Sequence, residues 1–342
     1  MWILLLGLLG CSPGSPNESK PPDVVLVIVD TLRADRLGFA GHTRNNSPNM
    51  DALAKEFTWF SRAYATASWT LPSTASILTG LLPHEHRVVR DGLKPDLFGR
   101  LNPTIDTLAD LYRAQGYRTG AFINNAYLAP DFGLNQGFET YDYQGAGPVG
   151  HRTGVATVEK ALSWLKNDDK PAFLMVHIME PHADYEPDPE FKGRFTAGHE
   201  SKLEAPLGDL IGQLIEQQID LPEVDRDYIQ AAYDEEILSA DKAIGLLVQG
   251  MRDQGRFASS KMAITSDHGE EFWDFGGYEH GHTTKTPVIQ VPLMLKAPGI
   301  VAGENANLVS IKDIYAAMAT NSGPLLDLAR GGVDTAPLII LA

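Results

Sequence analysis

The sequence predicts an α/β protein, a mostly parallel central sheet sandwiched between helices. Three observations carry this reading. Aliphatic and β-branched runs at Val24–Val29, 172–176 and 261–265 suit strands buried on both faces. Segments of helical periodicity alternate with them along most of the chain, the pattern of a doubly wound sheet. Reactive side chains stand where these strands end, on the edge where α/β sheets place their ligands.

The elements follow in order. The strand Val24–Val29 runs into Asp30, and Ser47 with Pro48 opens a helix expected over 48–57. Residues 58–66 are extended and lead to Thr70, which precedes Pro72 at the start of a short helix closing on Gly80. A hydroxyl at such a helix mouth lies beside free backbone N–H groups that favour an anion, although the same pattern also serves as an ordinary cap. His84, Glu85 and His86 are expected on a solvated loop. Residues 104–115 read as a helix stopped by Gly116, 118–123 as a strand and 155–165 as a helix. The strand 172–176 runs into His177 and His182, and 194–222 is polar and unpatterned, a surface excursion or lid. A long amphipathic helix is expected over 228–252. The strand 261–265 delivers Asp267 and His268, a loop carries His280, His282 and Lys285, and 288–295 reads as a last strand.

Composition narrows the function. The chain has 342 residues, with 28 basic against 44 acidic and a net charge of −16, and no basic cluster, which argues against nucleic acid as a partner. Its single cysteine, Cys11, excludes a disulfide framework and a thiolate zinc site. Residues 1–10, MWILLLGLLG, are too short an apolar run to span a bilayer and read as a signal peptide. Leu8, Leu9, Gly10 and Cys11 look like a bacterial lipobox. Cys11 would then carry lipid, 11–22 would be a tether, and the protein would sit on the periplasmic face of the cell envelope. Residues 23–300 form the expected catalytic domain, and 301–342 a partial C-terminal region.

Asp30, Thr70, His177 with His182, and Asp267 with His268 come from separate elements that a parallel sheet can bring to one edge. Two carboxylates, an imidazole and a hydroxyl suit one divalent cation, which would activate the hydroxyl. The histidines could hold ester oxygens or protonate the leaving group. Arg33 and Arg44 read as ion-pair partners of nearby acids, and Trp59, Phe60 and Tyr64 as core.

Residues 27–35 (VIVDTLRAD), 47–54 (SPNMDALA), 69–73 (WTLPS) and 77–80 (ILTG) resemble the sulfatases of the alkaline phosphatase superfamily. So do 180–182 (EPH), 233–237 (YDEEI), 265–270 (TSDHGE) and 291–293 (VPL). The resemblance implies the superfamily's fold and a metal-dependent ester hydrolase. It places Asp30, Thr70, Asp267 and His268 at metal-ligand positions and Thr70 at the nucleophile. His182 and His282 become catalytic, His177 and Lys285 substrate-binding. Sulfatases carry Cys or Ser at the Thr70 position, oxidised to formylglycine, and Arg at the position of Thr74. Oxidising a threonine would give a ketone, so the implied nucleophile is the hydroxyl itself. The metal would be calcium in a sulfatase-like site, zinc or manganese in a phosphoester-like one. The expected substrate is a small-molecule, glycan or lipid ester. The alternatives are an envelope phosphoethanolamine or glycerol-phosphate transferase, and an inactive oxyanion-binding module. The family normally continues into a C-terminal subdomain, expected here to be shortened.

Overall fold

The structure is a computed structural model and describes residues 20–92, 97–143, 152–217, 221–320 and 322–332. The expected signal peptide, Cys11 and most of the expected tether lie outside the described residues. Along the chain come β1 (Val24–Val29), α1 (Pro48–Leu53), β2 (Thr58–Tyr64), α2 (Thr70–Thr79), α3 (Pro83–His86), α4 (Leu108–Ala114), β3 (Arg118–Phe122) and β4 (Thr140–Asp142). Then follow α5 (Gly154–Lys166), β5 (Ala172–Ile178), α6 (Gly208–Gln217), α7 (Glu223–Asp253), β6 (Lys261–Ser266), β7 (Glu271–Phe272) and β8 (Tyr278–Glu279). The last are α8 (Thr286–Ile289), β9 (Leu293–Lys296), β10 (Gly303–Ser310), α9 (Ile314–Ala319) and α10 (Pro324–Ala329).

Eight of the strands form one sheet in the order β10-β2-β9-β6-β1-β5-β3-β4, and β7 with β8 make a separate two-stranded ribbon. β1 lies between β5 and β6 and is parallel to both. Only β9 in the large sheet runs against its neighbours β6 and β2. The carboxyl ends of β1, β2, β3, β5 and β6 therefore share one edge.

Alternation along β1 builds the two helix layers. Val25, Val27 and Val29 pack on one face with Val158, Ala161 and Leu165 of α5 and Ile237, Ile244 and Leu247 of α7. Val24, Leu26 and Ile28 pack on the other with Leu71, Ala75 and Leu78 of α2 and Ile314 and Met318 of α9. Each fully buried aliphatic side chain contributes about 1.5–3 kcal/mol of apolar transfer.

Several local expectations are corrected. Residues 288–295 are not one strand: Pro287 starts the short helix α8 and the strand begins only at Leu293. The 194–222 stretch is not wholly unpatterned, because α6 lies within it and buries Ile211 and Leu214. β10 pairs with β2, so the beginning of the expected C-terminal region belongs to the central sheet.

His84, Glu85 and His86 sit on α3 rather than a loop, and His86 is buried. The His86 ring bridges Val88 N–H, which donates to Nδ1 at 3.0 Å, and Ser76 Oγ, 3.1 Å from Nε2. Burial holds its pKa down at about 4. The unfolded imidazole titrates near 6.5, so protonation favours unfolding as pH falls from there towards 4. Urea unfolding should therefore show a loss of stability between about pH 7 and pH 5, and His86→Gln should reduce that loss by ~2 kcal/mol. An unchanged pH dependence in the variant would contradict this assignment.

Candidate active site

The edge described above gathers the reactive groups. Asp30 follows β1 directly, and the next residue, Thr31, has φ +54°, a left-handed backbone that non-glycine residues seldom adopt. Two contacts fix the turn. The Tyr233 hydroxyl of α7 donates to Thr31 O at 2.7 Å and accepts from Arg33 N–H at 3.0 Å. Leu32 N–H donates to Ser266 Oγ at 2.9 Å, and that hydroxyl donates to His268 O, which joins the loop after β1 to the loop after β6.

Thr70 is the first residue of α2. Trp69 before it is extended and makes no side-chain cap, so the hydroxyl pattern here is not an ordinary N-cap. Ser73 Oγ donates to Asp267 O at 2.6 Å, holding the helix against the β6 loop. Thr70 Oγ1 lies 3.3 Å from His268 Nε2. His268 Nδ1 lies 3.0 Å from Gly269 O, a contact that places the ring proton there and turns the Nε2 lone pair into the site.

Asp30, His177 and Asp267 each offer a ligand atom, all within 4.8 Å of one another and all buried. His268 Nε2 is 3.5 Å from Asp30 Oδ1 and 3.7 Å from Asp267 Oδ2. Asp30 Oδ1, Asp267 Oδ2 and both ring nitrogens of His177 have no hydrogen-bond partner. Buried polar atoms left unpaired are costly, and a divalent cation would satisfy this set. Burial, and then the Asp267 charge, push the Asp30 carboxyl well above the usual range. Burial holds His177 and His268 at about 4, so both imidazoles are neutral donors at ordinary pH. The residues present thus fit a divalent metal.

The structure brings together Asp30, Thr70, Asp267 and His268, and sets His177 beside the carboxylates rather than apart from them. His177 lies within β5 opposite Ile28, one residue before the strand ends. His182 is part-buried, with Nδ1 2.7 Å from Ala183 O, and its ring lies 5.2 Å from that of His280. His280 in turn lies 4.4 Å from the His268 ring, with Nδ1 2.9 Å from Glu270 Oε1.

Two expected residues fall elsewhere. His282 is 42 % exposed, with Nε2 3.0 Å from Glu271 Oε2, while His280 is the histidine of this loop that lies against His268 and His182. The ribbon β7–β8 explains this, because it returns the chain so that position 280, two residues before, faces the β6 loop. Lys285 is exposed, with its ammonium 5.2 Å from the Phe275 ring centre. Arg33 and Arg44 are ion-paired, Arg33 to Asp35 and Asp274 and Arg44 to Asp234.

Sequence reasoning missed Asn125. It follows β3, its Oδ1 accepts from Tyr127 N–H at 2.7 Å, and its Nδ2 donates to Asp30 Oδ2 and lies 3.4 Å from Thr70 Oγ1. The available signal was its place just past a strand on the ligand edge.

The sulfatase family model matches residues 22–323. The chain belongs to the sulfatase family. Bovine arylsulfatase A is 25 % identical, the alignment covering 99 % of this chain and 71 % of that protein. The ulvan-active sulfatase of Formosa agariphila is 26 % identical over 83 % of this chain and 58 % of its own length. The phosphonate monoester hydrolase of Agrobacterium radiobacter superposes with a TM-score of 0.74 at 22 % identity, covering 92 % of this chain and 78 % of that one. The C-terminal periplasmic domain of EcEptC from Escherichia coli, in complex with Zn, gives 0.66 at 18 % identity over 88 % and 83 %. These superpositions establish the alkaline-phosphatase-like fold. Family membership makes this protein a sulfuric-ester-hydrolase-like enzyme.

The Tyr233 hydroxyl serves two backbone groups beside Asp30. Tyr233→Phe should lower unfolding stability by about 1–3 kcal/mol, since it leaves the Arg33 N–H and Thr31 carbonyl buried and unpaired. Urea denaturation measures this, and an unchanged midpoint would show that the turn does not depend on the contact.

Proposed function

We propose that the protein is a divalent-metal-dependent hydrolase that cleaves a sulfate or phosphate ester with Thr70 as nucleophile. The observation that carries the reading is the Thr70 hydroxyl at a helix start, 3.3 Å from His268 Nε2, in the cluster where Asp30 Oδ1 and Asp267 Oδ2 have no hydrogen-bond partner. Asp30, Asp267, His177 and His268 would hold the metal, with Thr70 Oγ1 beside it. Imidazole donors and only two carboxylates favour zinc or manganese over calcium. A cation held there would lower the hydroxyl pKa and neutralise charge on the ester's oxygens.

The chain's own residues supply the rest. Asn125 hydrogen-bonds Asp30 and orients the Thr70 oxygen. The start of α2 offers free N–H groups to the oxyanion. Thr70 Oγ forms a bond to the sulfur or phosphorus as the bond to the alcohol oxygen breaks, and the proton leaving Thr70 is taken up by a neutral imidazole and passed to the departing alcohol oxygen. Water then releases the group from Thr70. His182 and His280, each engaged through Nδ1, keep an Nε2 lone pair that would take up the Thr70 proton and return it to the alcohol oxygen. Threonine cannot become the aldehyde that sulfatases use, which supports direct attack by the hydroxyl. The lipobox-like segment ending at Cys11 supports an anchored enzyme on the periplasmic face of the envelope, acting on a small-molecule, glycan or lipid ester.

Aryl sulfate, aryl phosphate and aryl phosphodiester assays, with added zinc or manganese, test the proposal. At least one should turn over, chelation should abolish it, and Thr70→Ala should cost about 10³-fold or more in kcat. Equal turnover by wild type and Thr70→Ala would remove the nucleophile. Delivery of the group to an added alcohol in preference to water would make the enzyme a transferase.

A further inference from the structure

A second feature lies against the nucleophile turn. A cavity of about 330 Å³ is lined by Thr66, Ser68, Trp69, Pro72, Val89 and Thr284, among others. Trp69 and Pro72 bracket Thr70 in sequence. Gly281 N–H donates to Ser68 O at 2.9 Å, so the loop that carries His280 closes one side. The walls are mainly apolar, and the volume sits at the small end for ligand pockets, enough for a single ring. Thr66 is 3 % exposed, and its hydroxyl has no partner. A buried hydroxyl in a cavity wall awaits a polar group of a ligand.

The tryptophan is held rigidly. Its ring packs 5.5 Å from Tyr127 and 5.9 Å from Phe98, and Tyr127 follows two residues after the Asn125 that reaches Thr70. The Arg90 guanidinium lies 5.7 Å from the Trp69 ring centre and 5.5 Å from that of Phe98. Arg90 is exposed, and among the described residues no carboxylate forms an ion pair with it. Arg33 and Arg44 are committed to Asp35, Asp274 and Asp234, and Thr74 stands where sulfatases have their arginine. A guanidinium stacked on aromatic rings keeps its N–H edge free for an anion.

We propose that this cavity and Arg90 bind the alcohol half of the ester and select a single-ring alcohol that carries an anionic substituent. The ring packs on Trp69, Pro72 and Val89, the Thr66 hydroxyl takes a polar group on it, and Arg90 takes the charge. This proposal rests on the ester-hydrolase reading for its kinetic consequences. The binding itself does not require turnover.

The test compares phenyl, 4-carboxyphenyl and methyl esters of whichever oxyanion the enzyme cleaves. Wild type should prefer the 4-carboxyphenyl ester by about tenfold in KM over the phenyl ester, the scale of one charge-assisted contact. Arg90→Gln should erase that preference, bringing the KM of the 4-carboxyphenyl ester level with that of the phenyl ester. Trp69→Ala should raise KM for both ring esters more than for the methyl ester. Ligand-observed NMR with 4-hydroxybenzoate and phenol provides the readout independent of catalysis. Binding of 4-hydroxybenzoate that Arg90→Gln weakens, in an enzyme that cleaves none of the esters, would uphold the subsite and overturn the hydrolase reading. Binding and KM values indifferent to both substitutions would overturn the subsite.

Discussion

Two carboxylates, Asp30 and Asp267, are forced together at the end of a buried sheet, and the rest of the site follows from that constraint. Neither has water to screen it, and burial with the neighbouring charge pushes Asp30 well above its ordinary range. In a low-dielectric interior such a pair costs several kcal/mol unless a cation or a proton relieves it. The groups around them are neutral imidazoles rather than lysines or arginines, which leaves the cation's place to a metal.

The scaffold reads as a set of restraints on that pair. Tyr233 pins the backbone after Asp30, Ser266 ties the loop after β1 to the loop after β6, and Arg33 reaches from the first of these to Glu270 O on the second and to Asp274 beyond it. Ser73 does the same for helix α2. Much of this originates in α7. Asp234 accepts from Arg44 and Asn46, Glu235 from Gly193, Phe195 and Thr196 N–H, and Asp241 from Asn49 and Met50 N–H. Acidic side chains in the middle of a long buried helix thus anchor separate loops, which explains why they are tolerated away from solvent.

The layers were legible because strand and helix periodicities differ, and because strands buried on both faces are continuous in apolar residues, as in Val24–Val29. Residues directly at strand ends, Asp30 and Asp267, were legible for the same reason. What escaped depended on tertiary contact. Val288 and Ile289 have strand propensity but follow Pro287, which starts a helical turn. His86 looked solvent-facing until α2 supplied Ser76. That His280 rather than His282 lies against His268 follows from the β7–β8 ribbon, and two alternate histidines carry no periodic signal. Asn125 was hidden because a single amide after a strand is common.

The most direct measurement is anomalous scattering at the zinc and manganese edges from crystals grown with each ion. The account predicts one peak within coordination distance of Asp30, Asp267 and at least one of His177 and His268, with Thr70 Oγ1 turned towards it. A map with no peak among these residues, or with the Thr70 side chain packed away from Asp267, would contradict it.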